Sequence, residues 1–226
     1  LRGWGGVYSR CDPWCKKESI LAHIEARRWR ACLLSDLRFP GNGVMTFLTE
    51  HQQWTLIHQG KVGVLLDAGL AAKWREGGAI THAKGTSGRT ATRALAVNIP
   101  PSGRYKGFYF VAVYAPTADK TEEISAFWEE VGLLLEHIPK RSHVVIGGDV
   151  NAQPCRTSRD SRDVGPHAPI GDRGKKACTR RAAECLGAFC QEHSLVVAST
   201  WFHRRDPHTW YHPRTGNGRA IDHFLT

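Results

Sequence analysis

Apolar runs of strand length recur along this chain, some as near neighbours and some separated by stretches of helical period. That order of elements limits the fold more than any other feature. Ala31 to Leu34 and Val62 to Leu66 are short apolar runs of the kind that form buried strands. Leu95, Val97 and Ile99 alternate with smaller or polar neighbours, which predicts a half-buried strand. Phe108 to Tyr114 is rich in β-favouring residues and stops at Ala115-Pro116. Val144-Val145-Ile146 reads as a buried strand running into Gly147-Gly148, and Leu195 to Val197, Thr209 to Tyr211 and Ala220 to Leu225 read as late strands. Between them, Lys17 to Arg28 places Ile20, Leu21 and Ile24 on one helical face. Ile124, Phe127, Trp128, Val131, Leu135 and Ile138 keep helical spacing up to Pro139, and Ala182, Leu186, Phe189 and Cys190 mark a further helix. Paired strands mixed with helix-separated ones predict α/β layers with mixed sheets rather than a purely parallel βαβ array. The one linker-like stretch is Ala152 to Lys176. Apolar strands resume on both sides of it, so residues 1–226 read as a single domain.

Composition narrows the classes of function. No apolar run approaches the ~20 residues that span a bilayer, so no membrane partner is expected. A chain of 226 residues buries roughly 70% or more of its unfolded surface and needs no covalent staples. The seven cysteines are odd in number and irregularly spaced. Cys185 and Cys190 fall among apolar helix residues, and Cys11 and Cys15 are followed by no second pair at zinc-site spacing. They are expected to be reduced thiols of an intracellular protein. The net charge of +10 fits a polyanionic partner. Basic residues cluster twice. Arg156, Arg159, Arg162, Arg173, Lys175, Lys176, Arg180 and Arg181 form one cluster; Arg204, Arg205, Arg214 and Arg219 flank Thr209 and Trp210 in the other. Arg173, Lys175, Lys176, Arg204 and Arg205 are expected to grip phosphates, with Thr209 and Trp210 at a groove edge.

Chemistry concentrates at strand ends. Val144-Val145-Ile146-Gly147-Gly148-Asp149-Val150-Asn151-Ala152 delivers a carboxylate and an amide on one side of a strand. The carboxylate can take a proton from a water nucleophile, and the amide can hold a phosphate oxygen. The same pair also suits an Asx turn that merely caps the backbone. Leu33-Leu34-Ser35-Asp36 is a second strand ending in a carboxylate, the hard donor that Mg²⁺ prefers. Val111-Ala112-Val113-Tyr114-Ala115-Pro116 ends in a Tyr whose hydroxyl can donate to a phosphate, or which is a core aromatic with a wet tip. His208-Thr209-Trp210-Tyr211 leads through Thr215-Gly216-Asn217-Gly218 into Ala220-Ile221-Asp222-His223-Phe224.

In this order the pieces resemble the endonuclease/exonuclease/phosphatase superfamily, and most of all the AP-endonuclease-like nuclease domain of LINE-type non-LTR retrotransposons. Gly148-Asp149-Val150-Asn151-Ala152 is similar to the family's Gly-Asp-Phe-Asn-Ala. Val113-Tyr114-Ala115-Pro116, Thr209-Trp210 and Ile221-Asp222-His223-Phe224 resemble its Val-Tyr-Ala-Pro, Thr-Trp and Ile-Asp-Tyr-Ile, while Gly63-Val64-Leu65-Leu66 and Ser87-Gly88-Arg89 match a Gly-rich strand and a Gly-Arg pair. The resemblance implies a four-layer sandwich, two packed mixed β-sheets flanked by helices, cut short at both ends. It implies a metal-dependent endonuclease that hydrolyses phosphodiester bonds, the DNA-nicking domain of a retrotransposon-type protein. The expected cofactor is Mg²⁺, with Mn²⁺ as a substitute. The expected partners are DNA and a reverse-transcriptase region in the parent chain, and the expected location is nuclear.

Asp149 would be the acid beside the nucleophilic water, Asn151 and Tyr114 would contact the phosphate, and Asp222 would match the acid that orients a catalytic His. Asp36 stands where the family has a metal-binding Glu, one methylene longer. A first-strand Asn and a terminal Ser-Asp-His block, which supply two family catalytic residues, have no match between Leu1 and Thr226. His223 matches a Tyr position on the side of its strand opposite Asp222. A second class of function follows: a catalytically inactive relative serving as a nucleic-acid-binding or scaffold subunit. A third, phosphatase action on inositol lipids or small phosphoesters, shares the fold but accounts less well for the basic clusters.

Overall fold

The computed structural model describes residues 13–37, 39, 41–84, 93–102, 107–156, 161–168 and 177–226; of residues 13–16 and 84 only the backbone is described. Among the described residues it is a mixed α/β fold with two main sheets and four helices. The chain divides into two compact units that alternate in sequence: Leu1–Tyr114 with His137–Val144, and Ala115–Glu136 with Val145–Thr226.

In the first unit, α1 (Pro13–Ala26) precedes a sheet of β1 (Ala31–Ser35), β2 (Asn42–Leu48), β3 (Gln53–Gln59) and β4 (Val62–Asp67), in the order β1-β4-β3-β2 and antiparallel throughout. α2 (Ala68–Glu76) follows, then β5 (Thr81–Lys84), β6 (Ala94–Ile99) and β7 (Phe108–Tyr114), again antiparallel neighbours. The alternation of side chains along β1, β3 and β4 explains the layering. Leu33, Ile57, Val64 and Leu66 face one way and pack with Leu95, Val97, Ile99 and Ala112 of the other sheet. Leu34, Leu56 and Leu65 face the other way and meet Ile20, Leu21 and Ile24 of α1. These three strands are thus buried on both faces.

Polar anchors complete these layers. Glu25 of α1 accepts from Trp54 Nε1 at 2.8 Å and from Thr49 Oγ1 at 2.5 Å, tying the helix to the sheet. Asp67 ends β4 and starts α2 at once: its carboxylate accepts the Leu70 N–H at 2.7 Å and holds Arg30 Nε at 2.6 Å. At the start of β4, Gly63 is closely covered: a Cβ there would stand 2.7 Å from Leu37 Cδ1 and 2.9 Å from Leu56 Cδ1, and both buried leucines would have to shift.

The second unit contains α3 (Thr121–Glu136), most of β8 (His143–Asp149), α4 (Ala177–Glu192), β9 (Trp210–Tyr211), β10 (Gly218–Arg219) and β11 (Asp222–Leu225). β8 and β11 are antiparallel, and β9 with β10 forms a small ribbon. α3 and α4 pack through Trp128 and Phe189, whose rings lie 4.6 Å apart. Cys190 is fully buried in α4, and burial, helped by nearby Asp163, pushes its thiol up to about 12. Burial also raises the thiol of half-buried Cys32 in β1 of the first unit.

Several elements differ from the sequence expectation. β6 is buried on both faces rather than half-buried, because the small neighbours Ala94 and Ala96 are covered as well as Leu95 and Val97. Leu195 to Val197 forms no regular strand; Val197 makes single bridges to Val164 and Leu225. β8, by contrast, runs through both glycines and ends at Asp149, the strand-end position expected of that carboxylate. β2, β3, α2, β5 and β10 were not anticipated.

Candidate active site

In the first unit, β1 ends at Ser35 and the chain leaves it through Asp36 with a φ of 55°. This left-handed conformation is one that Asp and Asn tolerate better than most residues. The next residue, Leu37, is buried and donates its N–H to the Lys61 carbonyl at 2.9 Å. Asp36 is thereby held, half-buried, beside the turn between β3 and β4. From that turn the Lys61 ammonium reaches over the Tyr114 ring, 5.2 Å from its centroid. Tyr114, half-buried, closes β7 with its N–H on the Arg93 carbonyl at 2.9 Å. The first unit therefore brings Lys61 to Tyr114 and sets the backbone of Asp36 next to that of Lys61. Among the described residues, no three His, Cys, Asp or Glu side chains gather around one point. Asp36 offers a carboxylate, the hard oxygen donor that suits Mg²⁺.

In the second unit, Asp149 ends β8 and is 1% exposed. Its Oδ1 accepts the Asn151 N–H at 3.1 Å, the Asx turn weighed from the sequence. Asn151 takes a φ of 47° and turns its side-chain amide back, donating Nδ2 to the Ala115 carbonyl at 2.7 Å. The backbone is pinned on both sides: Ala115 N donates to Asp149 O at 2.8 Å, and Val150 N to Ile221 O at 2.9 Å. β11 then sets Asp222 directly opposite Asp149. Facing residues of an antiparallel pair share a sheet face, so Asp149 and Asp222 leave the strands on the same side.

Thr209 holds this arrangement. Its hydroxyl oxygen accepts the N–H groups of both Ile221 (3.1 Å) and Asp222 (3.0 Å) at the entry to β11. The hydroxyl hydrogen is still available to donate. Trp210 is half-buried with its ring edge-on to His212 at 5.7 Å, and Arg204 and Arg205 are exposed. Arg173, Lys175, Lys176 and the Ser87-Gly88-Arg89 stretch lie outside the described residues.

His223 points away from Asp222 into the interior. Its Nδ1 lies 2.6 Å from Ser199 Oγ and its Nε2 3.0 Å from the Ala220 carbonyl. A carbonyl only accepts, so the ring carries its proton on Nε2 and accepts the Ser199 hydroxyl at Nδ1. Burial brings its pKa down to about 4; the Ala220 carbonyl and Asp222 oppose that shift, and Arg204 adds to it. Two features escaped the sequence reading. Lys61 gives no local signal, because its neighbour Tyr114 is far along the chain. Trp201 and Phe202 do give one: they stand in line with His203-Arg204-Arg205, an aromatic run beside a basic one.

With this geometry in view, solved structures supply the fold's relatives. The chain is similar to the AP endonuclease LMAP from Leishmania major, with a TM-score of 0.58 at 12% identity, covering 93% of this chain and 74% of that one. It is also similar to an endonuclease/exonuclease/phosphatase family protein from Leptotrichia buccalis, with a TM-score of 0.55 at 9% identity, covering 96% of this chain and 83% of that one. The fold is thus shared with endonuclease/exonuclease/phosphatase proteins. No family model matches the chain, and no relative is found among curated proteins.

Proposed function

We propose that this chain is the catalytic domain of a metal-dependent phosphodiesterase that cuts nucleic acid, the DNA-nicking part of a retrotransposon-type protein acting in the nucleus. The observation that carries the reading is the end of β8: a buried Asp149 and a turned Asn151, with Asp222 set opposite by the β11 register. In this reading Asp149 accepts the proton of the attacking water. The Ala115 carbonyl fixes the Asn151 side chain through one amide hydrogen, and the other donates to a phosphate oxygen. Asp222 matches the acid that orients a His, and Tyr114 donates its hydroxyl to the phosphate. Asp36 would hold the divalent ion, which when bound supplies charge neutralisation on the phosphate.

The second reading, an inactive nucleic-acid-binding or scaffold relative, is favoured by the same hydrogen bonds. The turn at Asp149 and the amide link of Asn151 are sufficient structural reasons for both residues. The full-length protein with Mg²⁺ or Mn²⁺ separates the readings. Nicking of supercoiled plasmid that stops in EDTA and is lost in Asp149→Asn supports the enzyme. DNA binding with no nicking under any metal supports the binder. Undiminished cutting by Asp149→Asn contradicts the proposed mechanism.

A further inference from the structure

Within the second unit, the segment after the short helical turn Ala198–Thr200 lays large aromatic side chains in water: Trp201 is 43% and Phe202 69% exposed. Both run directly into His203-Arg204-Arg205. The base of this segment is locked. The Thr200 hydroxyl accepts the Gly165 N–H at 2.7 Å and donates to the Val197 carbonyl at 2.6 Å, while the Thr200 carbonyl accepts the His167 N–H at 3.1 Å. Trp201 lies against Gly165, where a Cβ would stand 2.7 Å from its ring. On the far side of the segment, a loop is held by Asp206, which accepts both the His208 N–H at 3.0 Å and the Tyr211 hydroxyl. Between these supports lies a cavity of about 260 Å³ whose walls include Pro154, His167, Phe202, His203, Arg204 and His208. The rings of His167 and His203 meet edge-on at 5.4 Å.

Exposing a Phe at this level has a hydrophobic cost unless a flat partner covers it. Here the cover must also suit imidazoles and a guanidinium. A nucleotide meets both demands: a base has a π face for stacking on an aromatic ring, and its phosphate suits Arg. The sign of the charge matters. A groove of about 600 Å³ between α3 and α4 is rimmed by Glu129, Glu136, Glu184 and Glu192 against Arg181 and His193, a less favourable setting for phosphate. We propose that the Trp201–Arg205 segment and its cavity form a subsite for one unpaired nucleotide of the bound strand. The base lies against Phe202, and the adjoining phosphate is held by Arg204. The proposal rests on the nucleic-acid reading above and adds single-strand or unstacked character to the substrate.

The test uses the full-length protein in EDTA, so that nothing is cut. The probe is a short single-stranded oligonucleotide carrying 2-aminopurine, compared with the same base paired inside a blunt duplex. The single-stranded probe is expected to bind with quenching. Phe202→Ala should weaken that binding about tenfold, within the range of base–aromatic stacking, and leave duplex affinity within about twofold. Phe202→Trp should restore the quench. Equal losses on both probes, or no loss on either, overturn the subsite; so does rescue failing in a protein whose melting temperature is unchanged. A chain that quenches the probe yet nicks nothing when metal is returned overturns only the enzyme reading. One that nicks duplex but ignores the single strand overturns only the subsite.

Discussion

His223 makes the stability of the second unit depend on pH in a way that can be worked out in advance. In the folded chain its pKa falls from the ordinary 6.5 to about 4, chiefly because the ring is buried with both nitrogens engaged. The unfolded chain takes up this proton near pH 6.5, while the folded chain resists until about pH 4. Between those limits the unfolded state holds more protons, so acidification favours it. The stabilisation is therefore complete above about pH 6.5 and is lost as pH falls towards 4. Over that span it amounts to about 3 kcal/mol, at ~1.4 kcal/mol per pKa unit. The control is His223→Gln, which cannot titrate but can still donate to the Ala220 carbonyl. Urea unfolding of both proteins from pH 7 to pH 4 cancels the other titrating groups in the difference. The stability advantage of the native residue over Gln should shrink by about 3 kcal/mol on acidification. Parallel curves would refute the burial argument. An advantage that grows in acid would mean that His223 is held as a cation by Asp222.

Four further outcomes follow from individual side chains. Gly165→Ala places a Cβ 2.5 Å from the Thr200 carbonyl oxygen, and the overpacking should cost about 1–3 kcal/mol in urea unfolding. Asp67→Ala removes the α2 cap and should cost about 1 kcal/mol, with little added by Arg30, whose side chain is 61% exposed; the same measurement reads it. Asp36→Glu restores the longer acid of the resembled family, and metal-dependent nicking should rise; a loss would show a site adapted to Asp. Replacing Arg204 and Arg205 by Gln should weaken duplex binding and flatten its salt dependence by ~0.9 log unit per lost phosphate contact for each decade of salt, read by fluorescence anisotropy.

What could be read in the sequence depended on how local its cause was. α3 was legible because Ile124, Phe127, Trp128 and Val131 all point into the core and are all large. α2 was not: it starts on the last strand residue and buries only Ala71 and Trp74. β3 hid for a different reason. Trp54, Thr55, Leu56, Ile57 and His58 are all buried, so a sheet covered on both faces shows no alternation. β2 misleads in another way: Val44 and Leu48 are exposed while Phe47 is buried, so its apolar residues do not mark one covered face. In the candidate site, Asp36, Asp149 and Asn151 announce themselves because each stands at or just past the end of a strand. Their supports do not. The Thr209 clamp on Asp222 spans 13 residues and the Thr200 bond to Gly165 spans 35, and nothing in either neighbourhood hints at the other.

The two thiols raised by burial turn the protein into its own pair of clocks. Alkylating reagents attack the thiolate, so a thiol held near 12 inside α4 reacts only after the helix around it has opened. Cys190 therefore times excursions of α4, and Cys32 times those of β1 in the other unit. Labelling rates of single-cysteine variants, followed through rising urea, yield an opening free energy for each place separately. Rates that converge with a common urea slope would mean that both sites wait for the same global event. Rates that stay apart would show one unit breathing while the other remains closed.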